Sequence, residues 1–295
     1  MTPAQAALSI VLALMVFSVA LELHVRDFRR VAENPRAVVC GLIPQFILLP
    51  VATWLATLVV LDLPPNVEAA MMLVAACPGG SLSNVITHLG HGNTALSVTI
   101  SAVASLIALV ATPFNFGWMV STNPVTAGWL QQLAIDPSDI WISLFLLLAL
   151  PMSLGLWANR QWPGLTARIR KPLARFSLFA LFAFIALGLI RERQLLTLGL
   201  LPMLGLVIAH NALGLFLGWI TARAMHVSEP DRRAIMIEGG MQNSGLALGI
   251  IGVQFGADLG MVVIASLWGI WHIVSGLACA YYWRAQDRRR GLPHA

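Results

Sequence analysis

The chain has 295 residues, of which 58% are apolar and 11% are charged. Ordinary soluble domains carry about 25% charged residues, so this composition excludes a disordered protein, argues against a soluble enzyme and indicates an integral membrane protein. The net charge of +5 is expected to orient the chain in a bilayer rather than to bind nucleic acid. Three cysteines lie in apolar stretches without partners at metal-ligand spacing, so no structural disulfide is expected: Cys40, Cys77 and Cys279.

Nine apolar segments are long enough to cross a bilayer, which takes about 20 residues. The first is expected to be retained rather than cleaved as a signal peptide, because no Lys or Arg precedes it. The sequence therefore predicts an all-α polytopic membrane protein with nine transmembrane helices. The segments are residues 5–23, 37–61, 67–89, 94–117, 138–158, 173–190, 195–222, 233–256 and 259–283.

Basic residues alternate between the two sides of these spans. Of the 18 Lys and Arg residues, 16 fall in the C-terminal tail or in the loops after spans one, five and seven together with the span ends that flank them, and only Arg191 and Arg193 fall on the other side. Because cytoplasmic loops concentrate Lys and Arg, we predict an outside N-terminus and a cytoplasmic C-terminus. The longest loop, 118–137, leaves no room for a soluble domain.

Two spans contain residues that disfavour a continuous helix. The third contains Cys77-Pro78-Gly79-Gly80-Ser81-Leu82-Ser83-Asn84, and the eighth contains Glu238-Gly239-Gly240-Met241-Gln242-Asn243-Ser244-Gly245. Proline and glycine weaken helices, and unpaired backbone is tolerated in a bilayer only against protein or a wet cavity. The two spans hold corresponding positions in inverted halves of four and five helices, which is typical of a secondary transporter's binding site. The alternative is a packing kink at Pro78.

Glu238 is the one acid that the span boundaries place well inside a span, since the other twelve lie in loops or at span ends. Such an acid costs about 2.5–3.5 kcal/mol on insertion scales. No Lys or Arg lies at a similar depth, so a proton or a bound cation must neutralise the carboxylate. Oxygen-bearing side chains nearby suit a hard cation: Ser83, Asn84, Gln242 and Asn243.

Further polar groups lie in neighbouring spans. A hydroxyl stripe recurs every four residues in span four, at Ser97, Ser101 and Ser105, and it serves either a cation or close helix packing. Gln45 in span two is either a cation ligand or a helix-to-helix hydrogen bond. Single histidines in spans seven and nine, His210 and His272, are more typical of packed residues than of ligands.

Three motifs in order resemble the bile acid:sodium symporter family. They are Pro78-Gly79-Gly80-Ser81-x-Ser83-Asn84-Val85, Gly92-Asn93-x-Ala95-Leu96-Ser97 and Glu238-Gly239-Gly240-Met241-Gln242-Asn243-Ser244-Gly245-Leu246-Ala247. The similarity covers nearly the whole chain, including Gln45-Phe46 and Trp271-His272.

This resemblance implies a core domain with two crossing broken helices and a flatter panel domain. Residues 37–117 and 195–284 would form the core, residues 1–36 and 118–194 the panel, and residues 285–295 a cytoplasmic tail. A multi-pass protein of the bacterial inner membrane is expected, and we expect a monomer that binds lipid, sodium and a small organic anion.

The resemblance also implies a sodium symporter that takes up a bile-acid-like anion or a small hydroxy or keto acid by alternating access, with no other cofactor. Its two sodium sites would share Glu238. Site 1 would comprise Ser83, Asn84, Ser97, Ser101 and Glu238; site 2 would comprise Gln45, Glu238, Gly239, Met241 and Gln242; the anion would lie near Ser81, Asn243 and His272.

The chain departs from the family pattern at a few positions. Ser81 and Ser101 stand where Thr is common, and each keeps the hydroxyl. Gly239 stands at a position where Val is common. This difference is expected to matter little if only the backbone carbonyl of Gly239 is used. The alternatives to symport are a cation/proton antiporter of related fold, which typically has an Asp near the crossing, and an intramembrane enzyme, which needs a nucleophile–base pair or metal ligands.

Overall fold

The computed structural model describes residues 3–23, 31, 33–59, 62–134, 136–191 and 200–290, and within these ranges it contains helices and no strand. Five helical stretches there are long and apolar enough to cross a membrane, or six when one bent pair is counted as a span. The all-helical membrane class is confirmed, and the count of nine spans stays a prediction. The helices are α1 (Pro3–Glu22), α2 (Pro35–Ile43), α3 (Leu49–Val59), α4 (Pro65–Ala76), α5 (Ser81–Leu89), α6 (Thr94–Thr122), α7 (Pro124–Gln132), α8 (Pro137–Gln161), α9 (Pro163–Arg191), α10 (Leu200–Ala224), α11 (Glu229–Gly240), α12 (Ser244–Gln254) and α13 (Leu259–Arg289), with a π-helical turn at Pro44–Leu48 that joins α2 to α3.

Some of the predicted features lie outside the described residues. These are Arg26, Arg29, Arg30 and Arg193 of the charge pattern, the start of the seventh span at 195–199, and residues 291–295 of the tail. The three cysteines are described and free.

Both interrupted spans are broken helices. α4 and α5 are bent by 69° at the residues between them, and α11 and α12 are separated by residues 241–243. Side chains from other helices bind the carbonyls that the breaks free. Thr112 Oγ1 donates to the Ala76 carbonyl at 2.7 Å, and Asn211 Nδ2 donates to the Gly240 carbonyl at 2.7 Å.

The two breaks contact each other. The Asn243 N–H donates to the Cys77 carbonyl at 3.1 Å. A side chain at Gly79 would place its Cβ 2.5 Å from the Met241 carbonyl oxygen, so this approach requires glycine. The unwound segments therefore form one polar junction inside the helical bundle.

Polar contacts at the two ends of the bundle join the loops that the nine-span topology places on the same side. At one end, Arg233 donates to the Gly90 carbonyl at 3.0 Å and pairs with Asp287 at 2.7 Å. At the other, Asn66 donates to Asp258 at 2.9 Å. These pairings agree with the predicted order of crossings.

The prediction of a loop over 118–137 is wrong. α6 continues to Thr122, and α7 occupies Pro124–Gln132, so the two helices together cover most of the interval. The Asn123 side chain accepts from the Val125 N–H at 2.8 Å and caps α7, while Pro124 stands at the first helical position. An Asn-Pro pair at this register begins a helix rather than breaking one.

Candidate cation and substrate site

Glu238, at the end of α11, is completely buried, and hydroxyl groups from two other helices surround its carboxylate. Oε1 accepts from Ser83 Oγ at 2.6 Å and from Ser97 Oγ at 2.5 Å. Ser101 Oγ lies 3.1 Å from Oε1 and 3.2 Å from Oε2. The serines reach the carboxylate because α5 begins directly after the first break and Ser97 and Ser101 share one face of α6.

The hydroxyls of this cluster contact more acceptor oxygens than they have hydrogens to donate. Asn84 Oδ1 also lies 2.8 Å from Ser97 Oγ and 3.3 Å from Ser101 Oγ, and Ser83 Oγ lies 2.8 Å from the Gly80 carbonyl. Each hydroxyl has one hydrogen, so several short oxygen–oxygen contacts have none between them. A cation would turn those contacts into coordination, and all five residues predicted for sodium site 1 lie together here.

Glu238 takes part in none of the ion pairs found among the described residues, so no basic side chain there neutralises its carboxylate. Over the same residues, no group of three His, Cys, Asp or Glu could hold a metal ion. The donors are instead carboxylate, hydroxyl and amide oxygens, which suit hard cations and not thiolate- or imidazole-binding metals.

Most residues predicted for sodium site 2 lie around Gly79. The Gly79 N–H donates to Gln45 Oε1 at 3.1 Å. A Cβ at Gly79 would lie 3.6 Å from Glu238 Oε2 as well as against the Met241 carbonyl. Carbonyl and carboxylate oxygens from three elements thus face Gly79. The sequence did not predict that these oxygens meet at this glycine.

Gln242, which follows Met241 in the chain, leaves an acceptor open. Its Nε2 donates to the Gly239 carbonyl at 3.3 Å. Its Oε1 is buried and has no hydrogen-bond partner. A buried amide oxygen without a partner is costly, and a cation ligand role would account for it.

Gly239 is more constrained than the sequence indicated. A Cβ there would lie 2.9 Å from the Gly214 carbonyl oxygen and 3.0 Å from Gly218 Cα. Besides any role of its carbonyl, Gly239 therefore has a packing role that the sequence did not assign, because α11 packs directly on the α10 backbone. The four-residue spacing of Gly214 and Gly218 was a sequence signal for such an approach, and it was missed.

A further buried acid is Glu68. It lies in the first turn of α4, at the span end where the sequence places it, and its exposed fraction is 1%. Asn123 Nδ2 donates to Glu68 Oε2 at 3.1 Å and to Thr57 Oγ1 at 3.2 Å. Glu238 is therefore not alone as a buried acid, although only Glu238 lies in the hydroxyl cluster.

An apolar cleft of about 480 Å³ opens beside the junction of the breaks. Asn243 lines it, and its Oδ1 caps α12 by accepting from the Leu246 N–H at 3.0 Å. Ser81 and His272 are not among its lining residues. The lining residues are Met15, Val16, Val19, Pro78, Gly79, Ser105, Ala108, Leu109, Leu148, Met152, Asn243 and Leu246.

The two single histidines are packed residues. Trp268 Nε1 donates to His210 Nδ1 at 3.0 Å, and His210 Nε2 lies 2.8 Å from Thr53 Oγ1. Because tryptophan can only donate, His210 is protonated on Nε2. His272 is buried against Trp268, with ring centroids 5.5 Å apart.

The fold and the site together define a polytopic membrane protein with a buried carboxylate, surrounded by oxygen-bearing side chains, at the junction of two broken helices. The model of the sodium bile acid symporter family matches residues 9–199. The chain is 30% identical to an uncharacterized sodium-dependent transporter, YocS, of Bacillus subtilis, over 96% of this chain and 84% of that protein.

Other relatives come from plants and animals. The chain is 31% identical to a probable sodium/metabolite cotransporter of rice chloroplasts, BASS2, over 96% of this chain and 64% of that protein. It is 26% identical to the human ileal sodium/bile acid cotransporter, over 84% of this chain and 69% of that protein. The chain belongs to the sodium bile acid symporter family, which confirms the resemblance found in the motifs, and its relatives are transporters rather than enzymes.

Proposed function

We propose that this protein couples sodium influx to the uptake of a small organic anion. The observation that carries the proposal is the buried Glu238 carboxylate, which lies among Ser83, Ser97 and Ser101 without a basic partner in the described residues. A site of this composition needs a mobile cation to balance its charge.

Two sodium ions bind at sites that share Glu238. Site 1 is the hydroxyl cluster with Asn84, and site 2 is the group around Gly79 with Gln45, the Gly239 and Met241 carbonyls and Gln242. Two cations, the ionised carboxylate and a monoanionic substrate sum to zero charge. That neutrality favours a load of two ions in a low-dielectric bundle, where a net charge is costly.

The substrate is an organic anion with an apolar body. Apolar side chains form most of the cleft, while Gly79, Ser105 and Asn243 give it a polar end beside the sodium sites. No Lys, Arg or His is among the described residues that line the cleft, so bound sodium and the N-termini of α5 and α12 attract the anionic group. Relatives named for bile acid and organic anion transport agree with this class. Ser81 and His272 stay predictions as substrate contacts.

Transport proceeds by alternating access between a core (37–117 and 195–284) and a panel (1–36 and 118–194). The cleft supports this division, because α1 and α8 line one wall and the broken helices with α6 line the other. The proposed topology has nine spans in inverted halves of four and five, an outside N-terminus and a cytoplasmic tail (285–295). The protein is proposed to be a monomer in the bacterial inner membrane.

The direct test is a thermal-stability screen of organic acids on the purified protein, with sodium chloride or with choline chloride. Hits are then tested for uptake into proteoliposomes under a sodium gradient. Sodium-dependent stabilisation and uptake of the same acid would support symport. Sodium flux that drives proton movement without any organic anion would instead identify an antiporter.

A further inference from the structure

A basic pocket lies away from the cation site, at the end of the bundle where α10 ends and α11 begins. Its volume is about 630 Å³. An adjoining cavity shares Arg223 and Arg232 with it. The basic pocket is lined by Trp219, Arg223, Glu229, Arg232, Arg233, Met236, Trp283, Gln286 and Arg290.

Two of the four arginines in this pocket are already neutralised. Arg233 pairs with Asp287 and lies over the Trp283 ring at 5.5 Å. Arg232 pairs with Glu229. Arg223 and Arg290 have no carboxylate partner among the described residues, and both are exposed. The pocket thus presents two cations without local counter-charges, which suits one phosphate group.

An apolar strip leads into the basic pocket along one face of α10. Phe216, Ile220 and Arg223 follow one another at spacings of four and three residues and share that face. Phe216 and Ile220 are 53% and 37% exposed. Trp219 lies between Phe216 and Arg223, with Arg223 stacked over its ring at 5.7 Å. Along this face, exposed apolar side chains are followed by an interfacial tryptophan and then by unpaired arginines. A phospholipid has the matching order of acyl chain, backbone and headgroup.

We propose that the basic pocket is a binding site for the phosphate headgroup of an anionic phospholipid. Arg223 and Arg290 contact the phosphate, and the acyl chain lies along Phe216 and Ile220. A lipid is favoured over free phosphate because the apolar strip adjoins the unpaired charges. Basic pockets between helices at a membrane surface are known to bind such headgroups. The site is independent of the proposed transport function.

The experiment is a native mass spectrometry titration of the whole protein with phosphatidylglycerol or with phosphatidylcholine. We expect tighter binding of phosphatidylglycerol. Each arginine in contact with the phosphate contributes about fivefold in affinity, so the Arg223→Gln/Arg290→Gln double variant should bind phosphatidylglycerol roughly 25-fold more weakly. The Arg223→Lys/Arg290→Lys variant should keep most of the affinity, because it retains the charge.

The matched control is Arg168→Gln/Arg175→Gln, which removes the same charge from exposed positions on α9 and should leave lipid binding unchanged. Glycerol phosphate and inorganic phosphate at millimolar concentration should not displace the lipid. Equal binding of the two lipids by the unaltered protein would overturn the proposal. Equal losses in the control and in the pocket variant would do the same, and displacement by soluble phosphate would reject the lipid as the ligand.

Discussion

Ser97 Oγ and Glu238 Oε1 lie 2.5 Å apart, although 141 positions of sequence separate the two residues. One belongs to α6 and the other to the first half of the second broken helix. In the proposed sodium site, a cation coordinated by both groups would draw these elements together and neutralise the carboxylate at the same time. Loss of the ion would leave an uncompensated buried charge, so ion occupancy and helix packing would be coupled through this pair.

Replacement of Glu238 tests this coupling most directly. Glu238→Gln preserves the volume of the side chain but removes the charge that attracts a cation. Sodium-stimulated uptake in proteoliposomes should fall at least about tenfold, since one charge-assisted contact contributes roughly 1.5–3 kcal/mol. Asp139→Asn, which removes an exposed acid on α8, should leave uptake intact. Full sodium stimulation in well-expressed Glu238→Gln protein would refute the assignment.

Ser101 allows a finer test of oxygen coordination. Ser101→Ala removes a hydroxyl next to both carboxylate oxygens and should raise the sodium concentration for half-maximal uptake by about tenfold. Ser101→Thr keeps the hydroxyl and should stay within about twofold of the unaltered protein. The measurement is the sodium dependence of uptake at saturating substrate. Equal behaviour of the two variants would mean that the hydroxyl does not contact the ion.

The polar junction of the two broken helices was predictable from sequence because its residues break local rules. Proline and paired glycines at membrane depth, followed at once by Ser83 and Asn84, have no explanation in a plain spanning helix. Glu238 stood out for the same reason. The partners of Glu68 were not predictable, because Asn123 lies 55 positions away and only tertiary packing brings the two together.

The same limit applies to the ends of the helices. Asn123 and Pro124 indicate either a turn or a helix start, and the register that decides between them depends on what α7 packs against. Gly214 and Gly218 carried a spacing signal, but the sequence did not show which helix approaches them. Local composition therefore located the breaks, while the surfaces that meet at them needed the structure.

Gly239 provides a test of that close approach. Gly239→Ala would force its Cβ against Gly214 and Gly218, and overpacking of this kind costs about 1–3 kcal/mol. The apparent melting temperature should drop by several degrees, measured by thermal unfolding in detergent. Gly205→Ala is the matched control, because nothing lies within 4 Å of a Cβ at that position in α10. An equal effect of the two substitutions would show that the helices are not in close contact.

The topology can be tested by labelling single cysteines in a background without the native three. Ser138 and Arg170 lie at opposite ends of the α8–α9 hairpin in the predicted topology. A cysteine at position 138 should react with a membrane-impermeant maleimide added to intact cells. One at position 170 should react only after permeabilisation. Reaction of both in intact cells would exclude the proposed orientation.

Charge movement provides the last prediction, because it depends on both sodium sites. In the proposed cycle the loaded carrier is neutral, with two sodium ions balancing Glu238 and a monoanion. The empty carrier would return with the charge of Glu238 alone, so each cycle would move one positive charge inward. A tenfold sodium gradient contributes about 1.4 kcal/mol per ion, and 100 mV contributes about 2.3 kcal/mol per charge. Together these give roughly 5 kcal/mol, or an accumulation of several thousandfold.

Net uptake of a monoanion into proteoliposomes should therefore rise with an inside-negative potential and depend on sodium with a Hill slope above one. Exchange of labelled for unlabelled substrate, with saturating sodium on both sides, supplies the control. Only the neutral loaded carrier crosses in exchange, so its rate should not respond to potential. If net uptake is equally insensitive, coupling is one sodium to one anion, and one of the two sites around Glu238 holds an ion that is not transported.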